Sequence, residues 1–376
     1  MNITDRHTAP RPAHMPGLDG LRGCAVLTVM VFHAWPAALT GGMIGVDLFF
    51  VLSGFLISLL LVEEYRDSGG ISLRRFYLRR CLRLLPAFSL LLLVFLGYCL
   101  WRFDGKVLER YLQSVALAAS YTSNWARAFS LNPVEGLGHT WSLAMEEQFY
   151  LFWPLLLLGL LRYLGGARRL VLVALGLALA SWGWRVLLAW QGAEADRLYN
   201  GLDTRLDALM VGCALGLAEG FGLLQALRRP WAGRLLGVLA VVAVLYLAGV
   251  ASRAHYWVDM RLYYWMLAGV ELSAACLLLN VLCNRGGWVE RLLSLPGLTW
   301  LGRISYGLYL WHFPIYVFMR DGGASPWTIL GPGSLLTLLL ASLSFYLLER
   351  PFLRLKRRYA GAAPAEPRGS AGALLQ

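Results

Sequence analysis

The sequence predicts an all-helical, multi-pass membrane protein with about ten spanning helices and both termini in the cytoplasm. Three observations carry this. Of the 376 residues, 58% are hydrophobic and only 15% charged. With a mean hydropathy of +0.57, that is more apolar surface than a soluble domain of this size needs. Apolar runs of roughly twenty residues, the length that crosses a bilayer, recur between short basic loops. The basic residues also fall unequally on the two sides of those runs.

Taken in order, the spans are expected at 19–40, 44–65, 84–103, 139–161, 168–190, 203–222, 232–251, 262–283, 299–319 and 327–348. With the N-terminus inside, segments 1–18, 66–83, 162–167, 223–231, 284–298 and the tail from 349 are cytoplasmic. Together with the adjoining helix ends they hold 24 of the 34 Lys and Arg residues, the asymmetry that orients membrane proteins. The net charge of +12 therefore reads as orientation and not as a nucleic-acid surface. The outer stretch 104–138 contains a weakly amphipathic piece, ERYLQSVALAAS, expected to lie on the membrane or re-enter it. The organisation is a cytoplasmic segment 1–18, a membrane domain 19–350, and a tail 351–376 whose Ala, Gly and Pro content predicts disorder. No internal repeat is evident. Six cysteines occur without CxxC spacing, so neither a disulfide framework nor a metal site is expected. The N-terminus lacks the order of a cleaved signal, so the first span is expected to be retained.

Ionisable groups in a bilayer are costly and mark function by default. Arg22 and His33 lie in the first span, eleven residues apart, on nearly one face and roughly 16 Å apart along the axis. Histidine is also the side chain suited to proton transfer near neutral pH. In GHTWSLAMEEQFYLFWP, His139, Ser142, Glu146 and Tyr150 project from one face. His139 and Glu146 are two turns apart, too far to bond but placed to line one cavity. In LDTRLDALMVG, Asp203 and Asp207 share a face and Arg205 points away, so Arg205 must pair with another helix. Asp203 also suits a helix N-cap. The inner cluster Arg79, Arg80 and Arg83 suits phosphate, or anionic lipid at the inner surface. In GRISYGLYLWHFP, His312 sits mid-span near Tyr306 and Tyr309, where a packing role is the plainer alternative. In GVDLFFVLSGFLIS, Asp47 lies near the depth of His33, and Ser53 and Gly54 permit close helix approach.

These residues resemble acyltransferase family 3, multispanning membrane O-acyltransferases of bacterial surface polysaccharides and some antibiotics. The similarity covers roughly residues 16–350. The family's Arg-x10-His signature matches Arg22 and His33, its SGF segment Ser53 to Phe55, and its basic Arg-x-x-Arg Arg80 and Arg83. Its His-x-Trp-Ser-Leu-x-x-Glu-x-x-Phe-Tyr motif matches His139, Trp141, Ser142, Leu143, Glu146, Phe149 and Tyr150. Its Ser-Tyr-x-x-Tyr-Leu-x-His matches Ser305, Tyr306, Tyr309, Leu310 and His312, and its closing Glu-x-Pro matches Glu349 and Pro351. Many relatives continue into an extracytoplasmic hydrolase-like domain. With only a short tail after the last span here, any such domain is expected to be a separate protein or unnecessary.

The resemblance implies transfer of an acyl group, commonly acetyl, from acyl-CoA to a hydroxyl of a carbohydrate or glycosylated acceptor such as a surface polysaccharide or a macrolide, in the bacterial cytoplasmic membrane. His33, Glu146 and His139 are then expected to carry the chemistry. Arg22, Arg79, Arg80 and Arg83 are expected to hold the coenzyme A phosphates. Asp47, Ser142, Asp203, Arg205, Asp207, Tyr309 and His312 are expected on the acceptor side. Either Glu146 or Asp47 orients His33, and either Arg205 or His139 stabilises the oxyanion. His33 acts as a base on the acceptor or as a covalent acyl carrier. The rival class is a sugar or lipid transporter, which often shows inverted repeats and consumes no thioester.

Overall fold

Helix ends follow from particular residues. The computed structural model describes residues 15–360, with side chains to 355, and its regular structure is helical throughout. Helix α1 (Pro16–Ala34) starts on a proline, whose missing N–H costs nothing in a first turn. It stops at Trp35, because Pro36 disfavours helical geometry in the residue before it. Helix α2 (Gly45–Ser68) closes on Gly69, at φ 73°, whose N–H bonds the Tyr65 carbonyl. Ser72 caps α3 (Leu73–Arg102) by accepting from the Arg75 N–H. Thirty residues reach about 45 Å, so the basic first turns of α3 can stand clear of a hydrocarbon layer of about 30 Å.

The chain continues through α4 (Gly105–Ala119), α5 (Ser123–Ala128), α6 (Thr140–Tyr163), α7 (Ala167–Trp190), α8 (Ala195–Asn200) and α9 (Leu202–Gly220). Next come α10 (Pro230–Arg253) and α11 (Leu262–Cys283), then short α12 (Trp288–Leu293) and α13 (Pro296–Arg303). Helix α14 (Ser305–Asp321) precedes α15 (Pro326–Leu355), which contains two π-helical turns.

Among the described residues, seven helices are long and apolar enough to cross a membrane: α1, α2 with its preceding turn, α3, α7, α10, α11 and α15. The other three expected spans, α6, α9 and α14, are helices outside that set. Glu146, Glu147 and Gln148 lower the hydropathy of α6, four charged residues interrupt α9, and α14 has only 17 residues. Helix α4 has 15 residues, about 22 Å, too short to cross. It buries Tyr111, Ser114 and Ala118 and exposes Val107 and Leu112. At the C-terminus the helix runs on to Ala360, ten residues into the expected tail. Residues 1–14 of the expected N-terminal segment and 361–376 of the tail lie outside the described residues.

On the outer helices the packing is inverted relative to a soluble bundle. Helix α10 buries Ala232, Leu236, Ala240 and Ala243 and exposes Leu235, Val238, Val242 and Leu245. Helix α15 likewise exposes Leu335, Leu339, Leu343 and Leu347. Lipid chains are as apolar as leucine, so close packing of small residues holds such helices together. The α2–α9 crossing is the clearest case. A Cβ on Gly54 would lie 2.0 Å from the Leu209 carbonyl oxygen, and one on Gly212 would lie 2.0 Å from that of Val51.

Gly54→Ala is expected to destabilise the protein by about 1–3 kcal/mol, the cost of overpacking. Gly97→Ala, where an added Cβ meets nothing within 4 Å, is expected to be neutral or to stabilise by roughly 0.5–1 kcal/mol. Thermal unfolding in one detergent compares them. Equal melting temperatures would show that the α2–α9 contact yields freely.

Candidate active site

Helices α1, α2, α3, α6 and α14 enclose a cavity with about 690 Å³ of atom-free space, counting the part open to solvent. One end is lined by Arg22 of α1 and by Arg80 and Arg83 of α3. Register explains the selection on α3. Arg80, Arg83 and Leu84 share a face at three- and four-residue spacing and line the cavity. Arg79 is turned off that face and pairs with Glu64 at 2.8 Å. The Arg80 guanidinium lies 5.1 Å from the Tyr150 ring centre and 5.6 Å from that of Phe76. Arg22 Nε is buried without a hydrogen-bond partner among the described residues.

Glu146 is the only carboxylate among the lining residues. It accepts from Ser53 Oγ at 2.7 Å and from Tyr150 Oη at 3.3 Å. One carboxylate against three guanidinium groups leaves this cavity able to take an anion. Phe49, Phe50, Leu56 and Ile57 supply its apolar wall, and Ser142 and Tyr309 also line it. The Ser142 and Tyr309 hydroxyls are 2.6 Å apart, and Tyr309 Oη donates to the His139 carbonyl at 3.0 Å.

Behind Tyr309 stand three histidines. Its ring centre is 5.5 Å from that of His139 and 5.4 Å from that of His312. His33 Nδ1 lies 3.0 Å from His312 Nε2, and His312 Nδ1 lies 3.1 Å from the Leu308 carbonyl oxygen. Phe313 meets His33 edge-on at 4.9 Å and stacks on His139 at 4.9 Å. Arg320 donates to the His33 carbonyl. His139 is buried, with no hydrogen-bond partner at either ring nitrogen among the described residues. His33 does not itself line the cavity. Contact between the two runs through Tyr309 and His312.

The structure thus gathers Arg22, Arg80, Arg83, Ser142, Glu146 and Tyr309 around one cavity and groups His33, His139 and His312 beside it. It does not bring either carboxylate offered by the sequence onto His33. Glu146 is engaged by Ser53 and Tyr150, and Asp47 forms a fully buried ion pair with Arg205 of α9. The Arg205 guanidinium also sits 4.7 Å from the Tyr199 ring centre. Asp207 pairs with Arg185 of α7 at 2.5 Å, and Glu271 of α11 lies 3.9 Å from the same guanidinium. Asp203 is half-exposed, bound by Arg197 and by Trp184 Nε1 at 2.8 Å. Asp47, Asp203, Arg205 and Asp207 therefore tie helices together and line no part of the cavity. Sequence reasoning missed Arg185 and Glu271. Each is a lone charge inside an apolar span, which was signal enough to predict a partner for both.

The family model described as an acyltransferase domain, that of acyltransferase family 3, matches residues 15–348. A Staphylococcus aureus (strain MSSA476) protein named as a candidate O-acetyltransferase is 33% identical over 354 residues, 90% of this chain and 57% of its own. Peptidoglycan O-acetyltransferase OatA of Listeria monocytogenes is 31% identical over 90% of this chain and 56% of its own. A candidate peptidoglycan O-acetyltransferase of Bacillus subtilis is 34% identical over 92% and 56%. The chain thus spans a little over half the length of these curated relatives. No solved structure matches it.

Removing one member of a buried ion pair strands the other. Arg205→Met is expected to cost about 3–5 kcal/mol, and adding Asp47→Leu to restore much of that. Thermal unfolding reports both. A double variant no more stable than Arg205→Met would mean that the pair's hydrogen bonds, and not its charge balance, hold α2 to α9.

Proposed function

The chain belongs to acyltransferase family 3, and from that premise we propose that it transfers an acyl group from acyl-CoA to a carbohydrate hydroxyl. Acetyl is the first choice of acyl group, and a peptidoglycan-type glycan the first choice of acceptor, because relatives carry those names. The observation that carries the reading is a cavity with three guanidinium groups at one end and a histidine cluster against its Tyr309 wall.

Coenzyme A carries phosphates, which guanidinium groups bind through paired, charge-assisted bonds. Arg80, Arg83 and Arg22 hold them, at the face that the basic loops assign to the cytoplasm of a bacterial cell. The thioester end then extends along the apolar wall toward Ser142 and Tyr309. The acceptor approaches from the side of His139. The nitrogen of His33 not engaged by His312 takes the hydroxyl proton as the oxygen attacks the thioester carbon. The C–O bond forms, the C–S bond breaks, and the proton passes from His33 to the departing sulfur. In a covalent variant that same nitrogen attacks the thioester first as the C–S bond breaks to release thiolate; the acceptor oxygen then takes the acyl group as the C–N bond breaks, and the hydroxyl proton passes to the thiolate. Both require a neutral ring. Glu146, held by two hydroxyls beside the arginines, anchors the cavity and sets the position of the donor. A transporter with the same helices would move intact solute and release no thiol.

Full-length protein in proteoliposomes, given labelled acetyl-CoA and soluble peptidoglycan fragments, tests this. His33→Ala is expected to keep its fold and its acetyl-CoA affinity but to lose at least about 10²-fold in acetyl transfer. Near-normal turnover would remove His33 from the chemistry. Arg80→Ala combined with Arg83→Ala is expected to weaken acetyl-CoA binding while leaving glycan affinity unchanged. Unaltered donor affinity would assign these arginines to membrane topology and lipid alone.

A further inference from the structure

The proposed chemistry at His33 depends on which of its ring nitrogens carries a proton, and the histidine pair fixes that choice. His312 is fully buried, and its Nδ1 lies 3.1 Å from the carbonyl oxygen of Leu308, one turn earlier on α14. A carbonyl can only accept, so His312 Nδ1 carries the hydrogen. In a neutral imidazole the other nitrogen then has only a lone pair. That nitrogen, His312 Nε2, faces His33 Nδ1 at 3.0 Å. With both rings neutral, His33 Nδ1 must therefore be the donor, and its lone pair is left on Nε2. No protein group bonds that nitrogen among the described residues.

We propose that His312 is a positioning residue, which holds His33 in the tautomer that presents Nε2 as base or nucleophile. This gives His312 a role other than acceptor binding, and it rests on the reading of His33 as the reacting group. The arrangement parallels the orienting partner of a catalytic histidine in hydrolase triads, with a neutral ring in place of a carboxylate. A neutral partner that is itself tied to a backbone carbonyl has nowhere to pass a second proton. The proton that His33 gains from a hydroxyl stays on its Nε2 and returns from there to the thiolate. The relay ends at Leu308, so transfer needs no exchange with solvent.

Nitrogen-15 NMR of full-length protein labelled at histidine, in bilayers, tests the proposal without any acyl transfer. A His33→Gln sample assigns the His33 signals by difference. Wild type is expected to show His33 protonated at Nδ1 with a bare Nε2. His312→Leu, which removes the acceptor, is expected to shift His33 toward the Nε2–H form. His312→Gln supplies an amide oxygen in its place and is expected to restore the Nδ1–H form. In parallel, kcat for labelled acetyl-CoA is expected to fall about 10²-fold in His312→Leu and to recover in part in His312→Gln, with KM for acetyl-CoA unchanged. An Nε2–H tautomer in wild type, or a tautomer indifferent to His312→Leu, overturns the proposal. Should the tautomers behave as expected while His33→Gln turns over normally, the positioning stands and the catalytic reading of His33 fails. Those two failures are separable.

Discussion

The cost of leaving a charge unpaired in an apolar interior organises this protein. A buried ion that loses its partner costs several kcal/mol, roughly a third or more of what holds an ordinary domain folded. The bundle answers with two fully buried arginines. Arg205 meets Asp47 across α9 and α2, and Arg185 meets Asp207 and approaches Glu271 across α7, α9 and α11. Arg185 also donates to the Thr204 and Tyr263 carbonyls. These contacts hold four helices in one arrangement. They also explain why so many ionisable residues in apolar spans are not all catalytic.

Against that background the groups left over acquire meaning. Arg22, Arg80 and Arg83 share a cavity with a single carboxylate, and that carboxylate already accepts from two hydroxyls. Within the lining, guanidinium groups outnumber carboxylates, so an anionic ligand is a natural complement. The histidine rings are held differently, by one another, by the Leu308 carbonyl and by aromatic rings. Guanidinium groups and imidazoles thus occupy neighbouring but distinct places in the same bundle, an arrangement that suits the acyl-CoA donor proposed above.

Close approach of helices makes the arrangement possible. Gly54 and Gly212 let α2 and α9 meet with backbone against side-chain-free surface. Asp47 and Ser53 both belong to α2, so that one crossing serves the Arg205 tie and the Glu146 contact together. On the outer helices α10 and α15, large aliphatic residues face outward, where lipid can cover them.

Composition and periodicity alone determined that this chain is helical and built for a membrane, because both depend on local sums of transfer free energy. The α1 spacing likewise placed Arg22 and His33 on one stripe, whereas Arg79, grouped with Arg80 and Arg83 by proximity in sequence, is taken by Glu64 in the folded chain. The limits of that reasoning lie in the partners. Arg205 finds Asp47 at a separation of 158 residues, and His33 finds His312 at 279. No local rule ranks Asp47 against Glu146 as the companion of His33, because both lie at suitable depth and face inward. Only the order of helices around the bundle decides it. The tertiary structure assigned Asp47 to an ion pair, gave Glu146 to two hydroxyls, and left His33 to a second histidine, since a short-range bond forms only between groups that the packed helices bring within about 3 Å.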